Sequence, residues 1–476
     1  MLQNTGYGWK SVPVRKRKKK KWQLRLANNK MAMRLHKHKT FKTGGIHPHD
    51  NKLSSQVAIT PLPLPKMVTI PIIQHIGAPA KIVVNRGDMI KTGQIIATHE
   101  GFVSSNIHAS VSGRVGVIEE VMDSTGFKHM AINIRVKGDD WEESIDRSDT
   151  LIEEIKLTPK EIVSRIMEAG VVGMGGAAFP SHVKLSVPEG KHVDHLLING
   201  VECEPYLTAD HRVMLEKPKE IIVGIKILMK ALGVQKAIIG IEDNKADAIE
   251  IFQQLLKNEK HIGVEALEVQ YPQGGEKQLI QALLNREVPS GGLPADVGVI
   301  VHNVGTTYAV YEAVQKNKPL IERVVTVTGK SVKQPSNFLV RIGTPVIDLL
   351  IAAGGVPEDT GKIVSGGPMM GKAIADLDVP VAKGTSGILL IPKDEASRSE
   401  VYNCVHCGKC IEACPMGLEP YRLLIMSKKG NSKRAKEEHI LDCIECGSCS
   451  FVCPSNRPIL DYIRLGKTQL KKQKSV

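Results

Sequence analysis

Cys404-Val405-His406-Cys407-Gly408-Lys409-Cys410-Ile411-Glu412-Ala413-Cys414-Pro415 and Cys443-Ile444-Glu445-Cys446-Gly447-Ser448-Cys449-Ser450-Phe451-Val452-Cys453-Pro454 share one spacing, C-x2-C-x2-C-x3-C-P. Together they use every cysteine but one of the nine in the chain. Thiolates at these steps wrap cubane clusters, three ligands coming from one run and the fourth from the other. The spacing assigns Cys404, Cys407, Cys410 and Cys453 to one 4Fe-4S cluster and Cys443, Cys446, Cys449 and Cys414 to a second. Gly408 and Gly447 let each loop fold tightly about sulfide, and Pro415 and Pro454 turn the chain away after the last ligand. Zinc knuckles usually separate two C-x2-C pairs, and a disulfide mesh does not suit a reducing compartment. Cys203, the remaining cysteine, reads as a small buried hydrophobe.

Two clusters make a one-electron wire, which is useful only if something at one end supplies or accepts electrons. A two-electron partner needs a converter, most naturally a flavin. The spacer between Cys414 and Cys443, with a helical pattern from Pro420 to His439, makes this module longer than a compact two-cluster unit.

Working outward, the 476 residues are 42% hydrophobic and 24% charged, which is ordinary for several soluble globular domains. The net charge is +14, and residues 1–42 carry 14 Lys and Arg with no acidic residue, so the rest of the chain is neutral. A neutral body argues against a nucleic-acid groove built into the fold. The basic segment 1–45 reads as a solvated arm or as an electrostatic contact with anionic lipid or an acidic partner. His36, His38, His47 and His49 lie near one another, without the cysteines or the helical spacing of a metal site. No apolar stretch is long enough to span a bilayer, since Ile221 to Val234 is broken by Lys226 and Lys230. No apolar h-region follows the lysine run, so the expected compartment is the cytosol.

From Val68 to Val136 short β-type runs alternate with Gly turns, as in a small barrel or sandwich. Val84 to Gln94 followed by Ile107 to Val115 resembles the biotinyl/lipoyl-carrier half-barrels, but no Lys sits between Glu100 and Ile107. A structural or docking role is expected, not a swinging arm. Lys137 to Asp149 reads as a charged linker. Strands at His195–Asn199, Ala237–Ile241, Val264–Gln270 and Gly298–Asn303 then alternate with helices at Lys219–Leu232, Asn244–Lys257 and Glu276–Leu284. That alternation predicts a largely parallel sheet with ligands at its strand C-termini. Ahead of it, Gly173-Met174-Gly175-Gly176-Ala177-Ala178-Phe179-Pro180 lets backbone N–H groups approach a phosphate or an isoalloxazine edge, although it lacks the order of a dinucleotide fingerprint.

The chain resembles the C-subunit family of the Rnf (Rsx) complexes, ion-translocating ferredoxin:NAD oxidoreductases. The resemblance is carried by Gly44 to Lys52, the glycine segment, Asn199-Gly200-Val201-Glu202-Cys203-Glu204-Pro205-Tyr206, Ser365-Gly366-Gly367-Pro368-Met369-Met370-Gly371 and the two cysteine runs. The central block is also similar to the NADH-oxidising FMN subunit of respiratory complex I. By that resemblance Gly173, Gly175 and Gly176 would pass the flavin and its phosphate, Phe179 would stack on the nicotinamide nucleotide, and Lys184 would pair with the FMN phosphate. Asn199, Glu276, Asn303 and Thr306 match further flavin-site positions, whereas Val201, Gly275 and His302 depart from the pattern. Each of these residues alone would pass for turn or core duty; it is their joint order that points to a site.

The resemblance implies a multidomain α/β fold. Its expected parts are the basic tail 1–45, a barrel-sandwich domain 46–140, a Rossmann-like FMN/NAD domain 141–322, a soluble-ligand-binding β-grasp domain 323–390 and a ferredoxin-like two-cluster domain 391–476. It implies FMN, NAD(H) and two 4Fe-4S clusters as cofactors, and as partners the other Rnf subunits and ferredoxin. The expected place is peripheral, on the cytoplasmic side of the bacterial membrane, with membrane contact through those partners and the basic tail. Two other readings stay open: a soluble flavin/iron–sulfur cobalamin reductase, and a non-catalytic, cluster-bearing electron-carrier adaptor.

Overall fold

Apolar runs bounded by glycine and asparagine build the central layer. In the computed structural model, which describes residues 38–474, strands His195–Asn199, Ala237–Glu242, Ile262–Leu267 and Val299–Asn303 form an all-parallel sheet. His195–Asn199 lies between Ala237–Glu242 and Val299–Asn303. Alternate side chains feed two cores: Leu196 and Ile198 on one face, Leu197, Val299 and Val301 on the other. Helix Pro218–Leu232 starts on a proline and stops at Gly233, whose φ of 68° suits a residue without Cβ. Asn303 ends its strand and caps helix Val304–Gln315, its side chain accepting from the N–H of Thr306. The C-terminal edge of this sheet, where Asn303 lies beside Asn199 in register, is the crevice the alternating pattern predicts. Most of the basic segment 1–45, its proposed lipid contact and His36 lie outside the described residues. Among the described residues no helix is long and apolar enough to cross a membrane.

Two antiparallel sheets enclose the core of Val68, Ile70, Ile96, Ile107, Ile132 and Ile134. One contains Met67–Pro71, Lys128–Val136, Gly113–Met122 and Met89–Ile90; the other contains Lys81–Ile82, Ile95–Thr98 and Ile107–His108. Residues 46–65 contribute no strand to this sandwich. Ile59–Pro61 instead adds a parallel edge strand to Ser336–Arg341, in a six-stranded mixed sheet with Glu322–Thr328, Gly387–Pro392, Thr360–Ser365 and Lys372–Ile374.

The stretch expected as a linker is tied down. Trp141 lies between the guanidinium groups of Arg147 and Arg341 at 4.7 and 4.6 Å, Arg341 pairs with Asp139 at 3.2 Å, and Ile145 is buried. The helix expected over Pro420–His439 is two helices, Pro420–Lys428 and Ser432–Glu437. Gly430, at φ 68°, breaks the run, and Asn431 caps the next turn by accepting from the N–H of Arg434 at 3.2 Å.

Sandwich, parallel-sheet layer and mixed sheet meet at Lys383, which has no exposed surface. Its ammonium donates to the carbonyls of Asn106 (2.9 Å) and Gly170 (2.7 Å), and Gln74 accepts from its backbone N–H. Burial pushes its pKa down to about 7. His75, His108 and His182 face the same junction; burial lowers all three, His108 to about 3. The folded chain thus binds fewer protons than the unfolded one from about pH 3 to 6.5 at His108 and from about pH 7 to 10.5 at Lys383. Both signs make stability fall with acid. Below pH 6.5 each neutral histidine forfeits up to about 1.4 kcal/mol per pH unit. The unfolding midpoint, followed by calorimetry, is expected to drop between pH 7 and 5.5, and His108→Leu to flatten that slope.

Candidate functional site

The glycine segment forms a pinched loop. The N–H of Gly173 donates to the carbonyl of Phe179 at 2.9 Å and that of Ser181 to Val171 at 3.0 Å, so the loop closes at its base and runs into the short helix Ser181–Leu185. Beneath it, the N–H of Met174 donates to Thr306 Oγ1 at 2.8 Å. A Cβ on Gly175 would lie 2.7 Å from Asn303 Nδ2, so only glycine lets the loop rest on that side chain. A Cβ on Gly176 would enter open space. Phe179 is half-buried and supplies its carbonyl to the loop closure.

The strand ends complete the wall. Asn303 donates to Asp210 Oδ2 at 2.6 Å while accepting from the N–H of Thr306 at 3.0 Å. Asn199 donates to the carbonyl of Gly274 at 2.8 Å and accepts from the N–H of Val201 at 3.2 Å. Lys184 pairs with Glu276 at 2.7 Å and donates to the carbonyl of Val301 at 3.1 Å. Gly173, Gly175, Asn303 and Thr306 therefore make one contact set, Lys184 and Glu276 a second, and Asn199 joins them through the turn at Gly274. Thr306 is fully buried and acts beneath the loop, not on its open face. His302 Nε2 is buried and has no hydrogen-bond partner among the described residues, and the charge of Lys184 reaches it. Lys184 and the open face of the loop at Gly176, at a sheet's C-terminal edge, suit a phosphate-bearing planar cofactor.

Further side chains support this wall: Glu202, inside a segment that carries the resemblance, and Asp210, which the sequence did not single out. Glu202 accepts from the N–H groups of Asp210 (2.8 Å) and His211 (3.1 Å), fixing the start of helix Ala209–Glu216. Burial, reinforced by Glu202, raises the carboxyl of Asp210 well above the usual range. Lys52 donates to the carbonyls of Glu202, Glu204 and Leu207 at 2.7 to 2.9 Å, pinning the turn after Asn199. Burial lowers its pKa to about 8. Lys52 closes a segment already marked by the resemblance, and Asp210 lies four residues beyond another; the marked ends were the available signal.

The eight cysteines of the two runs divide between two cavities. Cys404, Cys407, Cys410 and Cys453 line one of about 180 Å³ together with Val405, His406 and Tyr421. Cys414, Cys443, Cys446 and Cys449 line the other, with Met416, Leu418 and Ile444. Each cavity thus takes three thiols from one run and one from the other, the donor set of a cubane cluster. Cys407 is exposed, whereas Cys414, Cys446 and Cys449 are buried.

Comparison with known proteins finds four family models that match parts of the chain. Residues 39–139 match the RnfC barrel sandwich hybrid domain, 166–312 the Nuo51 FMN-binding domain, 324–373 the SLBB domain and 403–457 a 4Fe-4S dicluster domain. The C-subunit of the proton-translocating ferredoxin:NAD(+) oxidoreductase complex of Clostridium ljungdahlii is 49% identical over 90% of this chain and 94% of its own length. The C-subunit of the Na(+)-translocating ferredoxin:NAD(+) oxidoreductase complex of Acetobacterium woodii is 44% identical over 91% of this chain and 98% of its own. The C-subunit of the ion-translocating oxidoreductase complex of Rhodobacter capsulatus is 41% identical over 91% and 83%. Beside the two thiol cavities, similarity of this degree over 90% or more of the chain establishes that it belongs to the C-subunit family of the Rnf-type ion-translocating oxidoreductase complexes.

Proposed function

We propose that the chain is the peripheral electron-transfer subunit of a membrane-bound, ion-translocating ferredoxin:NAD oxidoreductase. It exchanges hydride between NAD(H) and FMN and passes single electrons through two 4Fe-4S clusters. The observation that carries this reading is one chain holding a glycine cradle at a parallel-sheet edge and two four-thiol cavities. FMN, when bound, supplies the exchange between a two-electron hydride and one-electron steps. Lys184 and the loop N–H groups hold its phosphate, and Gly173, Gly175 and Gly176 let the backbone approach it. Phe179 stacks on the nicotinamide nucleotide. Asn199, Glu276, Asn303 and Thr306 keep the walls in place through the bonds described above. Cys404, Cys407, Cys410 and Cys453 ligate the outer cluster, and Cys414, Cys443, Cys446 and Cys449 the inner one.

The Rossmann-like reading of 141–322 is supported by its all-parallel sheet, and the β-grasp reading of 323–390 by helix Val346–Ala352 packed on strands of the mixed sheet. In the proposed domain 46–140 the barrel sandwich is built by the strands from Met67 to Val136, with Ile59–Pro61 lent to the mixed sheet, and the ferredoxin-like domain 391–476 completes the division. The partners are the other subunits of the membrane complex and ferredoxin, met on the cytoplasmic side of the bacterial membrane. Anaerobic purification with reconstitution is expected to yield about one FMN and about eight irons per chain, with both absorbances bleached by NADH. A preparation with the iron, no flavin and no response to NADH would be a cluster-bearing adaptor instead.

A further inference from the structure

One short segment touches both halves of the proposed machinery. In its middle, the carbonyl of Gly274 accepts from Asn199, its N–H meets Cys203 Sγ at 3.4 Å, and Glu276 holds Lys184. Both of its ends reach the cysteine loops: the hydroxyl of Tyr271 donates to the carbonyl of Cys446 at 2.8 Å. Gln278 Nε2 donates to the carbonyl of Pro415 at 3.2 Å and lies 3.4 Å from Met416 Sδ. Three residues of chain span at most about 11 Å, so Tyr271 and the Gly274 turn are close neighbours however the loop bends.

A second strap reinforces the contact. Ile46 and Tyr271 exchange backbone hydrogen bonds at 2.9 and 2.8 Å, and the N–H of Gly45 donates to the carbonyl of Ala413 at 3.1 Å. A Cβ on Gly44, whose φ is 69°, would lie 2.5 Å from the carbonyl carbon of Cys414. The ring of Tyr271, 2% exposed, packs with Ile46, Ala413, Cys446, Cys203 and Met369. Cys414 and Cys446 both line the inner cavity. The outer cavity opens elsewhere: Cys407 is exposed and Val405 is 66% exposed.

We infer that electrons leaving the flavin site enter the inner cluster first, through the segment 271–278, and that Tyr271 is the positioning residue that sets this cluster against the flavin wall. The inference rests on the proposed flavin site. One electron moves at a time, supplied by hydride from NADH, and no bond in the segment forms or breaks. The Tyr271 hydroxyl donates to the main chain of Cys446 at 2.8 Å, and a hydrogen-bond donor on a ligand loop favours the added electron on the cluster that loop holds.

The test is Tyr271→Phe in the full chain, with cluster midpoints from a dithionite titration followed by electron paramagnetic resonance. The expected result is a downward shift of one midpoint only, that of the signal which Cys414→Ala abolishes. In stopped flow with NADH, iron–sulfur bleaching is expected to slow several-fold while flavin bleaching keeps its rate. Gln278→Leu, which removes the contact to Pro415, gives the same selective shift if the phenylalanine variant does not fold. Equal shifts of both clusters, a shift of the outer cluster alone, or no shift would overturn the inference. A wild-type preparation without FMN would sink the flavin reading, and the dithionite titration would still report on Tyr271.

Discussion

Cys414→Ala is expected to halve the iron, from about eight to about four per chain, and to abolish bleaching of the remaining cluster by NADH while dithionite still reduces it. Cys414 belongs by sequence to the first run, yet it lines the cavity of Cys443, Cys446 and Cys449. If ligation followed the runs, the variant would damage the outer cluster and leave the inner one in contact with the flavin wall. Crossed ligation predicts the reverse. The survivor is then the outer cluster, beside exposed Cys407, open to an external chelator and cut off from the flavin. Cys453→Ala is the complement: its survivor is the inner cluster, slow to react with a chelator and still reduced by NADH. Iron analysis, chelation rate and NADH titration of the two variants decide the matter. Bleaching of the Cys414→Ala survivor by NADH at the wild-type rate would sink both the crossing and the inner cluster's place in the wire.

How much of this could be read from the sequence depended on the range of the interaction responsible. The four parallel strands are continuous apolar runs ending in turn formers, and residues such as Leu197 and Ile198 are buried on both faces whatever surrounds them. The cysteine grouping was legible for a like reason, since ligand steps of two and three residues constrain the loop directly. The split of the expected 420–439 helix was local too, and Gly430-Asn431 carried it. What could not be read was placed by distant chain. Ile59–Pro61 pairs with a strand nearly 280 residues away, and nothing in those three residues names that edge. Lys52 and Lys383 look like surface lysines by composition, but the fold half-buries the first and buries the second, and answers each with carbonyls of distant chain. The flavin wall falls between these cases. Gly173 to Pro180 is a local loop, while Asn303 acquires its role from Asp210, 93 residues earlier.

Neighbouring glycines in that loop are expected to fail in different ways, and the difference tests the cradle. An alanine at 175 would place its Cβ within 2.7 to 2.9 Å of three atoms of Asn303. Asn303 cannot swing aside without leaving Asp210 and uncapping helix Val304–Gln315. Gly175→Ala should therefore cost on the order of 1–3 kcal/mol and lower the unfolding midpoint with or without flavin. At 176 a Cβ meets no protein atom within 4 Å, so Gly176→Ala should leave the apo-protein within about 0.5 kcal/mol of wild type. A flavin drawn against the loop would occupy that same space. Gly176→Ala should then weaken FMN binding at least about tenfold, about 1.4 kcal/mol, and Gly176→Val more. Titrating apo-protein with FMN and with riboflavin, read by flavin fluorescence, separates two placements. Equal losses for both ligands put the ring system over Gly176, and a loss confined to FMN puts the phosphate there. Wild-type affinity for both ligands in Gly176→Val would mean that no flavin lies on this face of the loop. Lys184 would then be left as the partner of Glu276 alone, and the electrons reaching the inner cluster would need another source.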